Sequence, residues 1–453
     1  MTRVEVSGAA LRPEEDGRGM ERRDFLKVLG VAGVGATAAG CGGEPDRLIP
    51  YLVQPEQTVP GIATWYRTTC RECPAGCGMT VRTREGRAVK AEGNAASPVS
   101  HGRLCARGQA SLHGLYDPDR IPQALVREGD GWSRVSWDRA EQSLADALAG
   151  ADGRAVFLSR PEPGAMDALL DAWCDAAGVR RVRFDAFGHE AIREAHRRLY
   201  GRAALPIHDF SQARVVVSFG ADFMETWLSP VDYTHGYVEA QAYANGHKGE
   251  HIAVAPHQSL TDLNADTWIP ARPGTEHLVA LAMARLVADR TGGGAVASML
   301  DGVDPSALAA AAGVGIEAIQ LAAAAFANQG QSVAVGPGVG TTTEAATTLA
   351  TAVAILNEAA GNVGRTVRLG PADEDRATYG ELAELVEQMA AGEVSALLLR
   401  GPNPLYELPD RESVAEALGN VPFIASFSPW LDETSATAHL LLPDHHFLES
   451  WGD

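Results

Sequence analysis

The sequence contains no run of 18 continuous apolar residues. A bilayer-spanning helix needs about 20, so the chain is expected to have no transmembrane span. Basic charge is also scarce: 38 Lys and Arg stand against 58 Asp and Glu, for a net charge of −20. Binding to phosphate backbones needs clustered cations, so nucleic acid is excluded as a partner. No internal repeat of solenoid period is evident. Cysteine is rare, with six in 453 residues. The pair of Cys-x₂-Cys knuckles that usually builds a structural zinc site is missing, because only one such knuckle is present.

What cysteine there is lies in a pattern. Cys70, Cys73 and Cys77 fall within the run Cys70-Arg-Glu-Cys73-Pro-Ala-Gly-Cys77-Gly78, and Cys105 follows in Gly102-Arg-Leu-Cys105-Ala-Arg-Gly108. Three thiolates this close cannot all pair with one another as disulfides. They can wrap one corner of a cube of iron and sulfide, and a later fourth thiolate closes the cage. A [4Fe–4S] cluster is the reading that uses all four; a zinc site, or disulfides and free thiols, are the others. Gly76 and Gly78 flank the third cysteine, where a tight loop needs positive φ and room. Arg107 is expected between the cluster and whatever packs behind it. A cation there would raise the reduction potential, since reduction adds negative charge; a surface arginine is the alternative.

The N-terminus reads as a targeting segment. Arg22-Arg23-Asp24-Phe25-Leu26-Lys27 is a twin-arginine pattern, followed by a weakly apolar, Gly- and Ala-rich run from Val28 to Ala39. That route exports proteins already folded around a cofactor. Ala38-Ala39-Gly40-Cys41 suggests either cleavage or acylation of Cys41, which would anchor the protein at the outer face of the inner membrane. The expected location is periplasmic or on that face.

Residues 44–62 are Pro-rich and read as a tether. Residues 64–93 alternate in a β-like manner around a Glu85-Gly86 hairpin signal. From about residue 137, apolar strands alternate with helices: strands at Ala155–Ser159, Val179–Phe184, Ala213–Gly220, His251–Ala255, Ser332–Gly336, Ala396–Arg400, Phe423–Ser426 and His439–Leu442, helices at Trp137–Leu148, Gly164–Ala177, Leu278–Ala288, 307–327 and Glu344–Glu358. Such runs predict parallel sheets covered on both faces. Ligands gather at the carboxyl ends of such strands. Gly220 and Asp222 follow one strand. Gly338, in Gly336-Pro-Gly-Val-Gly340, follows another and opens a turn whose amides could cradle a phosphate, or which is simply packed tightly. Cys174 sits on an apolar helical face and reads as a buried structural thiol. The adjacent His445 and His446 would point to opposite sides of a strand, which argues against a shared metal.

The cysteine spacing resembles the iron–sulfur domain of molybdopterin oxidoreductases. Other segments are similar to that family in the same order: Val217–Asp222, Ala265–Glu276, Gly401-Pro-Asn-Pro404, and Asp432–Thr434 with His439–Pro443. The resemblance implies an α/β fold: a small β-rich iron–sulfur domain, then two doubly wound α/β domains, with the C-terminal domain missing. The expected division is a signal segment 1–41, a linker 42–62, the [4Fe–4S] domain 63–118, a discontinuous α/β domain 119–205 with 370–453, and a second α/β domain 206–369. Within the family, Tyr66–Gly78, Gly108–Leu112, Tyr116–Arg120, Ser218–Val231 and Leu448–Asp453 resemble the large subunit of alternative complex III. That implies a quinol-oxidising electron-transfer subunit, with a membrane quinol-binding subunit, cytochrome c subunits and an iron–sulfur subunit as partners.

The sequence departs from the catalytic pattern of the family. A molybdenum-ligating Cys, selenocysteine or Ser is expected near residues 184–190, where only Asp185 could serve. Ala255-Pro256-His257 stands where many relatives carry Asp-Pro-Arg, and Glu276 replaces an Asp. A lost carboxylate leaves a ligand donor unpaired at about 1–3 kcal/mol per contact. Molybdenum held by a bis-dinucleotide pterin (Mo-bis-MGD) is therefore possible but disfavoured. A catalytic molybdenum reductase of the polysulfide or thiosulfate type, or a scaffold without redox chemistry, are the competing implications. Relatives continue past the point matching Asp453, so a fragment or split gene product is expected. The export reading gives a direct test. Exchanging Arg22 and Arg23 for lysines should leave the precursor in the cytoplasmic fraction; an unchanged distribution on fractionation overturns it.

Overall fold

The structure, a computed structural model, describes residues 59–450 except 163, 244–247 and 328–330. The twin-arginine segment, Cys41, most of the tether and Trp451–Asp453 lie outside the described residues.

Ala63–Thr69, Gly78–Arg84 and Arg87–Gly93 form a three-stranded antiparallel sheet in sequence order. The turn between the second and third strands is at Glu85 (φ 52°) and Gly86 (φ 78°). Two positive φ angles match the twist of flanking strands, which is why such turns close hairpins. Met79, Val81 and Ala91 are buried on the inner face, with Leu104 and Leu112 packed against them.

The α/β part holds two larger sheets. The four-stranded one runs Thr267–Ile269, Glu250–Val254, Val215–Phe219, Ser332–Val335, all parallel. The seven-stranded one runs Gly131–Arg134, Leu125–Glu128, Leu440–Leu441, Phe423–Ser426, Ala396–Arg400, Ala155–Ser159, Arg180–Arg183. Its first three strands pair antiparallel and the rest parallel. Strands from early and late in the chain thus share this sheet, while the four-stranded sheet is built from the sequence between them.

Successive residues on a strand point to opposite faces, so each sheet feeds two cores. Val217, Phe219, Ile252 and Val254 pack against Val279, Met283, Ile319 and Leu356. Val216, Val333 and Val335 face Phe210, Phe223, Trp227 and Tyr233. In the larger sheet Val156, Leu158, Leu397 and Leu399 meet Leu382, Leu385 and Leu418, while Phe157, Leu398 and Ala425 meet Ala140 and Cys174. Both faces are covered, which is why these strands are continuously apolar.

Two sequence readings change. The Ala-rich stretch 307–327 is not one helix but two, Pro305–Ala312 and Ile316–Phe326, bent by 118°. Gly313 ends the first in the left-handed region at φ 73°, a conformation that suits glycine. No single helix among the described residues is long and apolar enough to cross a membrane. The antiparallel pair Leu125–Glu128 and Gly131–Arg134, and the helices Glu190–Tyr200, Pro230–Gln241 and Tyr379–Ala390, are additions to the elements expected from sequence.

The edge strand Arg180–Arg183 is stapled to the helix Ala165–Ala177. Arg181 bonds Asp167 at 2.6 Å and Asp171 at 2.9 Å, and Arg183 also pairs with both carboxylates. Burial pushes the Asp167 carboxyl up, but Arg181 and Arg183 outweigh it and hold the group below its ordinary range. A lowered folded value contributes stability at neutral pH that disappears as pH falls through it. Asp167→Asn should therefore flatten the acid limb of stability against pH, by about 1 kcal/mol or less for a pair this exposed. Urea midpoints measured from pH 7 to pH 3 would show it; parallel curves would refute the assignment.

Candidate iron–sulfur site and the adjoining crevice

Cys70 follows the strand Ala63–Thr69 and Cys77 precedes Gly78–Arg84. These strands are antiparallel neighbours, so the residues between them leave one end of the small sheet as a loop. The Cys70 amide donates to the Cys77 carbonyl at 2.8 Å and closes the base of that loop. Gly76 turns it at φ 62°. Cys105 arrives from the far side, as the residue capping the helix Ala106–Leu115. Close packing carries it there. A Cβ on Gly93 would lie 2.2 Å from the Arg103 nitrogen, and one on Gly108 would lie 3.5 Å from the Cys70 sulfur. The Ser100 hydroxyl donates to the Gly78 carbonyl at 2.7 Å, pinning the intervening segment to the hairpin.

Cys70 and Cys77 are buried, Cys73 and Cys105 half-buried, and no two described cysteines are bonded to each other. Burial pushes the Cys70 thiol up to about 11 and the Cys77 thiol up to about 12, with the neighbouring cysteines adding to both. The four sulfurs thus share one electrostatic neighbourhood. Yet among the described residues no three His, Cys, Asp or Glu side chains surround a single ion position. The Cys70–Cys73–Cys77 spacing with Cys105 beside it suits one ligand at each corner of a cage. Cys70, Cys73, Cys77 and Cys105 would hold a [4Fe–4S] cluster.

The surroundings differ in part from expectation. Arg107 is exposed on the first turn of its helix rather than packed behind the loop. Its charge acts on Glu72, whose carboxyl burial pushes up and Arg107 pulls back. The helix Pro230–Gln241 reaches the loop through Val231, and Phe447 and Leu448 pack there too. Alongside, His101 Nε2 lies 3.1 Å from Asp232, and the His101 ring lies 4.3 Å from that of His235.

In an open α/β sheet the ligand crevice lies at the carboxyl ends of the parallel strands. After Val215–Phe219, Gly220 takes φ 64°; a Cβ there would strike Thr341 Cγ2 at 2.3 Å. Asp222 accepts from the Thr226 hydroxyl through Oδ2, while its Oδ1 is buried without a partner. An unpartnered buried acceptor is rare, and this one suits a ligand donor. Gly338 does not act as a phosphate cradle. Its amide donates to Thr341 Oγ1 at 3.0 Å, and a Cβ on it would lie 2.0 Å from the Gly220 carbonyl. The Gly-rich turn is spent on packing two strand ends together. Gly340 likewise lies under the His257 ring, 2.5 Å from Cε1 to a Cβ there. Glu276 is buried and turns back to accept from the Gly274 amide at 3.3 Å.

The segment 184–190 offers no thiolate. Asp185 caps its own turn, accepting from the Phe187 amide at 3.0 Å. His189 went unnoticed in the sequence. It adopts φ 49°, ψ 43°, within 6.4 Å of the Trp227 ring. Burial pushes its imidazole down to about 4, so it is neutral at physiological pH. Asp185 is thus the one carboxylate of this segment that could ligate molybdenum, and one of its oxygens is engaged by its own turn. Cys174 is buried in its helix, and burial raises its thiol. His446 is buried and His445 exposed, both beyond the end of the last strand.

A four-cysteine loop suited to an iron–sulfur cluster, set beside sheets of parallel strands and helices, is the arrangement of an iron–sulfur α/β oxidoreductase. Comparison with known proteins specifies the class. Residues 63–117 match the molybdopterin oxidoreductase Fe4S4 domain and residues 120–452 match molybdopterin oxidoreductase. The chain belongs to the molybdopterin oxidoreductase family. It is 27% identical, over 96% of its length and 66% of the relative's, to the menaquinone reductase molybdopterin-binding-like subunit of Nitratidesulfovibrio vulgaris. It is 26% identical to the thiosulfate reductase molybdopterin-containing subunit of Salmonella typhimurium, over 60% of the chain and 35% of the relative. It is 27% identical to the arsenate respiratory reductase molybdopterin-containing subunit of a Shewanella species, over 50% and 28%. The chain spans about two thirds or less of the length of these relatives. Acetylene hydratase from Pelobacter acetylenicus shares the fold at a TM-score of 0.69 and 16% identity, over 84% of this chain and 63% of that one.

The close approach at Gly93 yields a prediction. Gly93→Ala forces the Arg103 backbone away, costs about 1–3 kcal/mol, and should lower the iron retained per chain after reconstitution. Gly419→Ala, where a Cβ meets nothing within 4 Å and the backbone is not left-handed, should retain full iron. Equal iron in both variants would sink this account of how Cys105 is placed.

Proposed function

We propose that this chain is the iron–sulfur, molybdopterin-oxidoreductase-like part of a membrane-associated respiratory complex that oxidises quinol, of the alternative complex III type. The observation that carries the reading is the contrast between the two halves of the site. The cysteine loop is complete, whereas the adjoining crevice presents no metal-ligating thiolate and uses its glycines to seal strand ends. When bound, the cluster supplies one-electron transfer. The chain's residues hold its four thiolates, bury two of them, and keep it against the strand ends. The similarity to a menaquinone reductase subunit over nearly the whole chain supports the quinone-coupled, multi-subunit part of this reading. The proposed partners are a quinol-binding membrane subunit, cytochrome c subunits and a further iron–sulfur subunit. The reading includes twin-arginine export to the periplasmic side, Cys41 as an acylation site, and the domain division given from sequence.

One observation favours a second reading. The unpartnered Oδ1 of Asp222 would accept from a nucleotide donor, as in a catalytic molybdenum reductase of the thiosulfate type. Metal analysis of the purified full chain separates the two. About four iron per chain with no molybdenum is expected. Stoichiometric molybdenum would replace the first reading by the second. If neither metal is present and Cys70→Ala melts like the wild type, a scaffold role replaces both.

A further inference from the structure

Arg71, between the ligands Cys70 and Cys73, points out of the cluster loop toward the larger α/β sheet. Its Nη1 lies 3.9 Å from Glu162 Oε2. Glu162 follows the strand Ala155–Ser159, and its other oxygen accepts from Arg400 Nη1. Arg400 ends the neighbouring strand Ala396–Arg400, and its Nε donates to Asp444 at 2.7 Å. One carboxylate therefore bridges two guanidinium groups belonging to different layers. Side-chain exposures of 17%, 16% and 17% for Arg71, Glu162 and Arg400 leave little water to screen them, so a charge change here is felt over several ångströms.

We propose that Glu162 is a positioning residue for the cluster loop, clamping Arg71 against the α/β sheet and thereby setting the cluster's reduction potential. The proposal rests on the reading that the four cysteines hold the cluster. Arg400, itself held by Asp444, fixes the Glu162 carboxylate, so its second oxygen is presented to Arg71 without free rotation. Arg71 follows Cys70 directly in sequence, so its orientation fixes that of the first ligand. With Glu162 present, the Arg71 charge is largely neutralised at the sulfurs. Removing the carboxylate takes one negative charge from beside the loop, which favours the reduced, more negative cluster.

The experiment uses the full chain with Glu162→Gln, Glu162→Asp, Arg71→Met and the double variant Arg71→Met with Glu162→Gln. After anaerobic reconstitution, the cluster is titrated with dithionite and followed by electron paramagnetic resonance. Glu162→Gln should raise the potential, increasing the reduced-to-oxidised ratio at a fixed poise by up to tenfold, about 59 mV for one electron. Arg71→Met should lower it. The double variant should return toward wild type, non-additively as coupled neighbours do, and Glu162→Asp should stay close to wild type. Shifts of the same sign in the two single variants, or an additive double variant, overturn the electrostatic claim. Amide exchange on the iron-free protein reads the clamp without the cluster. Residues 71–77 should exchange faster in Glu162→Gln while Ala396–Arg400 stays protected; unchanged exchange overturns the clamp. Wild-type chain that takes up no iron refutes the ligand reading and the potential claim with it, and the exchange result then decides the clamp alone.

Discussion

Four thiols gathered in one partly buried place are the constraint to which the rest of the site responds. Metal ligation needs thiolates, yet burial pushes Cys70 and Cys77 up to about 11 and about 12. Before metal binds, these groups stay protonated, so the metal itself must draw the protons off as it binds. The geometry must then be held by other means until it does. The hairpin fixes two cysteines at the ends of paired strands, the Cys70 to Cys77 backbone bond closes the loop, and the tight passage at Gly93 delivers Cys105. None of these devices depends on iron, which is how the loop can be preformed.

The loop has a second constraint: it must sit against something rigid. Parallel strands end at a common edge, and their ends are where an α/β protein places ligands. Here that edge meets the cluster loop through Val231 and the Arg71–Glu162 pair. The strand ends also meet one another. Trp227 Nε1 donates to the Pro337 carbonyl at 2.8 Å, and Gly220, Gly338 and Gly340 allow contacts too close for any side chain. Among these packed strand ends Asp222 keeps one buried acceptor without a partner.

Legibility followed locality. Ala155–Ser159, Ala396–Arg400 and Phe423–Ser426 were readable to the residue because strands buried on both faces are apolar throughout. The Glu85-Gly86 turn was readable because its φ requirement is written in its residues. The Ala-rich stretch was misjudged because composition favours helix wherever it stands, and a single left-handed glycine decides where the chain bends. The Gly336–Gly340 turn carried two readings in sequence, and only the position of Gly220 opposite it chose between them. His189 gave no signal at all, since its interest lies in backbone conformation and in the distant neighbours Asp222 and Trp227.

By itself the sequence determined the parallel α/β class and the family's iron–sulfur domain, because each depends on residue type and short spacing. The tertiary structure alone decided which charges face the cluster. Glu162 and Arg400 are 238 residues apart in the chain, and Arg71 meets them only because the strand Ala155–Ser159 lies beside Ala396–Arg400. Electrostatic coupling falls with distance in space, not along the chain, so no reading of spacing could have placed that carboxylate between two arginines.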